Sequence, residues 1–496
     1  MKEPPVPVAG AEGPSEVAFR PSRRLSIAPL AALRPSMDVV RIVGLWAAWL
    51  AVICAFQIVV QARVAPQRPD NVLAWTPSET SKAVLDCRPR LADPNMNEHV
   101  AFDSEYYISI AVAGYDDPQA EAYANTDSGQ FAGVPSCTQG APEQWTSLNY
   151  AFLPGYPMAM RPVIAIEGVL PFTSDLTENG KATLAGIIVS AVGGLLAMLA
   201  LARLMGSYTR RRRSKSDPAA DPETGAWGGL GGIRAALYLL VFPTGFYLAQ
   251  VYSEGLFVGL AFMACALAVE KKVVTAAAFA ALATWVRPAG VFLVFPLAWA
   301  AFELFRNGEI RPKDWRIGVP IVAALAPMAA FGVWYLSPLG QKWRDVEAGY
   351  FARSFDLVGA WNQWVNVWNS LITGVDKTMA PGGGYQYYGG GPLSSASMVY
   401  LTLELLALAL AVVATVWLVR RMPGVALFGL GVLVLSFGSS AASPQGMDRY
   451  VLAVPAIFLM LAWFGRRVVV DRVWVLASTL LMGMLVTLFT FGFWVS

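Results

Sequence analysis

Apolar residues run along most of this chain in long blocks, separated by short polar joints that carry Pro, Gly, Arg or an acid. A helix needs about 20 mainly apolar residues to cross a bilayer. Runs of roughly that kind are expected to be helices near 39–63, 182–205, 233–251, 254–270, 272–286, 289–305, 317–337, 399–419, 424–441, 450–465 and 473–495. The pattern predicts an all-α integral membrane protein with about eleven transmembrane helices. Residues 149–172 are also apolar, but Pro154, Pro157, Pro162 and Pro171 interrupt them. They are read as a helix lying along the outer interface rather than across it.

Lys and Arg set the orientation, because basic residues in short loops stay in the cytoplasm. The clusters RRLSIAPLAALR, RLMGSYTRRRRSK, EKK, FRNGEIRPKDWR, VRRM and GRR occupy alternate joints. With a cytoplasmic N-terminus and eleven spans, all of them fall on one side. The expected organisation is a disordered cytoplasmic tail over 1–37 and one transmembrane domain over 38–496. Within that domain, 64–181 forms the first extracytoplasmic loop, with short interfacial helices, and 338–398 a second large one. No internal repeat is evident, which weakens a transporter built on symmetric halves.

Composition agrees with a membrane protein: 56% of residues are hydrophobic and 14% charged, against about 25% charged in a soluble domain. The net charge of +3 and the lack of a basic stripe give no support for a nucleic-acid partner. His99 is the only histidine, so zinc chemistry and Ser-His-Asp catalysis find no support. Asp116-Asp117-Pro118 reads as a turn before a metal site. Cys54 and Cys265 lie in apolar runs as small hydrophobes. Cys87 and Cys137 share the first outer loop, where a disulfide and two separate thiols are both open readings.

Candidate chemistry collects in the joints on the other side: Asp103, the trio Tyr252-Ser253-Glu254, Arg287 and Arg449. Isolated charges at span ends on one face are functional candidates, although each taken singly also fits a helix anchor. The segment FDSEYYISIAVAGY predicts a helix over 103–114 ending at Gly114, with Asp103, Tyr106 or Tyr107 and Ile110 on one face. Asp103 then has two readings. It caps the helix, or it is a general base that takes the proton of an attacking hydroxyl. Glu105 is expected to face solvent. Transfer of a sugar from a lipid phosphate needs no second acid, because the leaving group is already a stable anion. A fixed cation on the departing phosphate helps instead; Arg287 suits it, with Arg449 a second candidate.

Four ordered motifs, FDSEYYISIAVAGY, NYAFLPGYP at 149–157, FPTGFYLAQVYSEGLFVGL at 242–260 and ATWVRPAGV at 283–291, resemble the mannosyltransferases that add the second mannose in GPI-anchor assembly, and their bacterial relatives. The resemblance covers roughly 100–300 closely. It implies a GT-C-type helix bundle and an inverting transfer from polyprenyl-phosphate-mannose to a membrane-associated acceptor, a lipid-linked glycan or glycolipid among them. The reaction is expected on the extracytoplasmic face of the cell membrane without metal or other cofactor. It implies Asp103 as the catalytic residue, and maps Tyr252, Ser253, Glu254 and Arg287 onto family motifs. Tyr106, Tyr107 and Tyr156 join Tyr252, Ser253 and Glu254 as expected substrate-binding residues, while Arg287 and Arg449 are expected on the donor phosphate. The family's basic residue and Trp before the Asp are replaced here by Ala101 and Phe102. Two other classes are weighed: a polyprenyl-lipid or glycolipid transporter, for which Glu404 inside a span is the residue to watch, and a non-catalytic partner of another transferase.

Overall fold

The computed structural model describes residues 36–63, 88–91, 96–124, 132–134, 145–216, 227–310, 318–351, 353–378, 391–441 and 444–495, with single residues at 70, 72, 76 and 80. Of the expected tail over 1–37, residues 1–35 lie outside the described residues, as does the Cys87–Cys137 question, and Met37 already opens the first helix. Regular structure among the described residues is helical apart from three strands of three residues each. These strands, Ala122–Ala124, Ala132–Val134 and Trp145–Ser147, pair antiparallel with the first in the centre.

In chain order the α-helices are α1 (Met37–Arg63), α2 (Ser104–Val112), α3 (Gly155–Glu167), α4 (Glu178–Ser216), α5 (Gly229–Leu240), α6 (Glu254–Val269), α7 (Val273–Val286) and α8 (Val294–Arg306). They continue with α9 (Gly318–Tyr335), α10 (Pro338–Gly349), α11 (Leu357–Thr373), α12 (Ser395–Val419), α13 (Pro423–Gly438), α14 (Met447–Tyr450), α15 (Pro455–Phe464) and α16 (Val468–Thr490). Among the described residues, six stretches are long and apolar enough to cross a membrane: α1, Glu178–Arg211 of α4, Pro288–Arg306, α9, α12 and α16. A seventh arises if Met447–Ala453 and α15, bent by 82°, count as one broken span. The four remaining expected spans are occupied by the shorter apolar helices α5, α6, α7 and α13. The protein is thus a multi-pass helical membrane protein. Helix α3 has 13 residues with Pro162 inside it, and it covers only part of the apolar run at 149–172.

Burial ranks the helices. Of its most apolar 18-residue stretch, α4 has 67% inside the protein and α1 only 17%. Among the six long spans α4 is therefore the inner column and α1 the outer flank. The column packs most intimately against α6, and small residues make the approach possible. A Cβ on Gly193 would collide with the backbone of Gly255 and Leu256, one on Gly255 with that of Ser190, and one on Gly259 with that of Gly193. Small residues four apart let two helix backbones touch where lipid supplies no hydrophobic drive. That crossing places the first turn of α6, and with it Glu254, against the middle of α4. Gly114, at φ +94°, closes α2 as expected, because only glycine enters that backbone region without a Cβ penalty.

Candidate active site

The site begins as backbone. The Val251 N–H donates to the His99 carbonyl at 3.2 Å, docking the strip before α2 onto the turn before α6. A buried polar cluster lies below: Gln57 Nε2 donates to the Glu98 carbonyl at 2.7 Å, Gln250 Nε2 to Gln57 Oε1 at 2.9 Å, and His99 Nδ1 lies 3.1 Å from Gln250 Oε1. His99 is therefore part of the scaffold. Above it the Tyr252 hydroxyl donates to the Ala101 carbonyl at 2.9 Å.

Asp103 stands where an N-cap would be, yet its side chain makes no capping bond. Ser104 Oγ accepts the Ala101 N–H at 3.1 Å instead, closing the turn. Phe102 before it sits at φ +47°, a left-handed value that costs a non-glycine residue about 1–3 kcal/mol. The Asp103 carboxylate is turned to Arg449, whose Nη1 donates to Oδ2 at 3.1 Å. Arg449 Nε lies 3.4 Å from Glu254 Oε1, and Arg287 Nη1 reaches the same oxygen at 2.5 Å.

Asp103, Arg449, Glu254 and Arg287 thus form one chain of alternating charge. Its inner members are enclosed, with side-chain exposures of 6% for Arg449 and 3% for Glu254, while the ends are open at 30% for Asp103 and 22% for Arg287. Charges buried this deeply persist only when paired. Aromatic faces complete the surroundings: the Arg449 guanidinium lies 5.6, 5.4 and 5.5 Å from the rings of Tyr247, Tyr252 and Tyr450, and Arg287 lies 5.2 Å from Tyr450. Local sequence explains how Arg287 leaves its helix. The residue before a proline avoids helical backbone, and Arg287, ahead of Pro288, is extended at φ −147° and ψ 142°.

The expected tyrosines divide. Tyr107 donates to Ser253 Oγ at 2.9 Å; burial, then the charges of Glu254 and Asp103, hold its phenol above the ordinary value. Tyr252, Ser253 and Tyr107 lie directly beneath the ion chain but are buried. Tyr156 is fully buried, with its hydroxyl donating to the Gly186 carbonyl at 2.8 Å; it braces α3 on α4 and presents no face to a ligand. Tyr106 turns away from Asp103, stacks on Phe152 and donates to Glu121 Oε2 at 3.0 Å. Glu254, expected to meet substrate hydroxyls, is enclosed between two guanidinium groups. Its Oε2 has no hydrogen-bond partner among the described residues.

Glu105 departs from its expected solvent position. It is wholly buried and its Oε2 lies 3.5 Å from Arg88 Nε. With so short a helix packed on both sides, the face opposite Asp103 is covered as well. Asp116 and Asp117 diverge: Arg90 Nη2 donates to Asp117 Oδ2 at 2.8 Å, and the Tyr150 hydroxyl to Asp116 Oδ1 at 2.7 Å.

Two contributors escaped the sequence reading. Glu347 and Arg353 pair at 3.4 Å at the end of α10. Burial raises the Glu347 pKa, Arg353 opposes this, and the Asp103 charge adds to the rise. Nothing in a polar loop of irregular spacing marks such a pair. Glu404 is an acid within a span, but its task is local: Oε1 and Oε2 accept the N–H groups of Gly446 and Asp448, each at 2.9 Å.

No protein-family model matches this chain, and no curated protein matches it. Among solved structures, it is similar to the archaeal oligosaccharyltransferase AglB from Archaeoglobus fulgidus in complex with an inhibitory peptide and a dolichol-phosphate, at 12% identity and a TM-score of 0.37. It is also similar to the Archaeoglobus fulgidus oligosaccharyltransferase tethered to an acceptor peptide containing the NVT sequon, at 13% identity and a TM-score of 0.36. Each alignment covers 90% of this chain and 55% of the other, so this chain spans little more than half the length of those proteins. Scores of this size do not define a common fold.

Proposed function

We propose that this protein is a GT-C-type membrane glycosyltransferase that moves mannose from polyprenyl-phosphate-mannose to a membrane-associated acceptor on the extracytoplasmic face. The observation that carries the reading is the ion chain with closed middle and open ends. It offers a carboxylate, Asp103, and a guanidinium, Arg287, each partly exposed, braced by a buried Arg449–Glu254 pair.

In this reading Asp103 accepts the proton of the acceptor hydroxyl as its oxygen attacks the anomeric carbon. The bond from that carbon to the phosphate oxygen breaks, the configuration inverts, and polyprenyl phosphate departs with one more negative charge than the diester carried. Arg287 stabilises that growing charge, as pre-placed cations do at phosphoryl leaving groups. Arg449 orients the base in place of binding phosphate, and Glu254 pairs with both arginines and fixes where they stand. The transporter alternative loses its main residue, since the Glu404 carboxylate is engaged by backbone N–H groups.

The test is transfer from radiolabelled polyprenyl-phosphate-mannose in membranes carrying the wild type, Asp103→Asn or Glu105→Gln. A positioned base contributes about 10²–10⁴-fold. Asp103→Asn is expected to lose transfer by that factor at normal protein level, and Glu105→Gln to retain more of it. Full transfer by Asp103→Asn would remove Asp103 as the base, and no transfer by the wild type would remove the donor.

A further inference from the structure

Asp103 and Arg449 are 346 residues apart in the chain, and their 3.1 Å contact requires two separate loops to be held in register. We propose that Trp494, Tyr400 and Glu404 form a tie that sets this register, acting as positioning residues for both members of the contact. The kinetic consequence rests on the glycosyltransferase reading; the tie itself does not.

The tie is continuous. On one side the ring of Phe102, the residue before Asp103, meets Trp494 edge to face at 4.9 Å and 87°. Trp494 is itself pinned, its backbone N–H donating to Asp70 Oδ2 at 2.7 Å. Its indole Nε1 donates to the Tyr400 hydroxyl at 3.2 Å, and Glu404 stands one turn further along the same helix, α12, which carries the link onward. On the other side Glu404 accepts the N–H groups of Gly446 and Asp448. Both N–H groups belong to the opening turn of α14, which has no carbonyl of its own to offer them. Arg449 is the next residue, and Gly446 at φ +73° lets the chain enter that turn.

The arrangement also accounts for two costly features. A carboxylate inside a span is retained only when fully partnered, and Glu404 is fully buried and partnered. Phe102 keeps a left-handed backbone, which persists only where surrounding contacts over-determine it. The Trp494 contact is such a constraint, and it fixes the direction in which the next residue, Asp103, projects.

Double-mutant cycles on thermal unfolding in detergent test the tie without requiring transfer. Tyr400→Phe removes one hydroxyl from its centre, and Trp494→Leu removes its junction. Each is combined with Asp103→Asn and Arg449→Met, and with Arg211→Met as a control, because Arg211 pairs with Glu303 at 2.7 Å far from the site. Residues sharing no network combine additively, and those in one network do not. The expected result is sub-additive shifts in Tm with Asp103→Asn and Arg449→Met and additive shifts with Arg211→Met. Additivity in every pair overturns the tie, and so does equal coupling to the control, which reports general softening. If Trp494→Leu fails to fold, the Tyr400→Phe cycles decide alone. Where the wild type transfers sugar, Tyr400→Phe is expected to lower kcat about tenfold with donor KM unchanged, since small misplacement of reacting groups costs that much or more. A rise in KM with unchanged kcat contradicts a positioning role.

Discussion

Glu254 occupies the first turn of α6 with 3% of its side chain exposed, and one of its oxygens meets two guanidinium groups. Removing one member of a buried ion pair costs about 3–5 kcal/mol, because the survivor is left without compensation. Glu254→Gln is therefore expected to destabilise the protein by that order, read from thermal unfolding in detergent. Glu309→Gln, exposed at its partner Lys271, is expected to change little. Glu167 makes a different prediction. Its carboxylate is buried at the end of α3 with no hydrogen-bond partner among the described residues, and burial lifts its pKa from 4.5 to about 7. The fold thus favours the protonated acid. Its contribution to stability is complete below about pH 4.5 and is lost as pH rises through about 7. Glu167→Gln, which has no charge to bury, is expected to melt like the wild type at pH 4 and above it at pH 8. At this scale the sequence showed which residues were odd for their surroundings. It did not show which way they turned: Tyr106 and Tyr107 are adjacent, and only Tyr107 lies beneath the ion chain.

Helix positions were legible because periodic apolarity is a local property, and an element fills each predicted stretch. Helix continuity was less so. The expected span 233–251 is α5 followed by a separate turn at Gly245–Ala249, and 450–465 straddles a bend of 82° at Pro455. Breaks of this kind depend on what receives the freed backbone groups, such as Glu404 for the turn at 446–448. The α4–α6 crossing is the element on which the site depends most, since it seats Glu254. Gly259→Val should force the two backbones apart. Overpacking usually costs about 1–3 kcal/mol, and the collision here is with backbone, which cannot rotate aside. A loss at or above the top of that range is expected, together with a weaker Arg287–Glu254 contact. A thermal melt with no shift would show that the crossing tolerates a side chain.

Across the whole molecule the charged joints collect at two ends. Asp103, Glu254, Arg287 and Arg449 meet at one, as the alternation of loops required. Arg203 pairs with Glu270 at 2.8 Å and Arg211 with Glu303 at 2.7 Å at the far ends of α4, α6 and α8. The proposed orientation puts the first end outside the cell. Lys342 has 49% and Lys272 56% of its side chain exposed, so cysteines placed there in a background without the native four report opposite sides. A membrane-impermeant maleimide added to intact cells is expected to label Lys342→Cys and spare Lys272→Cys. The reverse pattern would invert the protein and place the ion chain inside.

The sequence by itself determined the class of molecule, the positions of the apolar helices and the short list of charges worth attention, but not the two helices inside the expected loop at 338–398. Hydrophobic run length, the proline and glycine joints and basic-loop alternation are all written locally, within about twenty residues of each other. Only the tertiary structure decided that Asp103 does not cap its helix, that Glu105 is buried, that Arg449 joins Asp103 to Glu254, and that Glu404 grips the turn before Arg449. Each of these depends on a contact across more than forty residues or on the covering of a helix face. In a low-dielectric interior such contacts set where a charge can remain, and hydrophobic pattern along the chain carries no record of them.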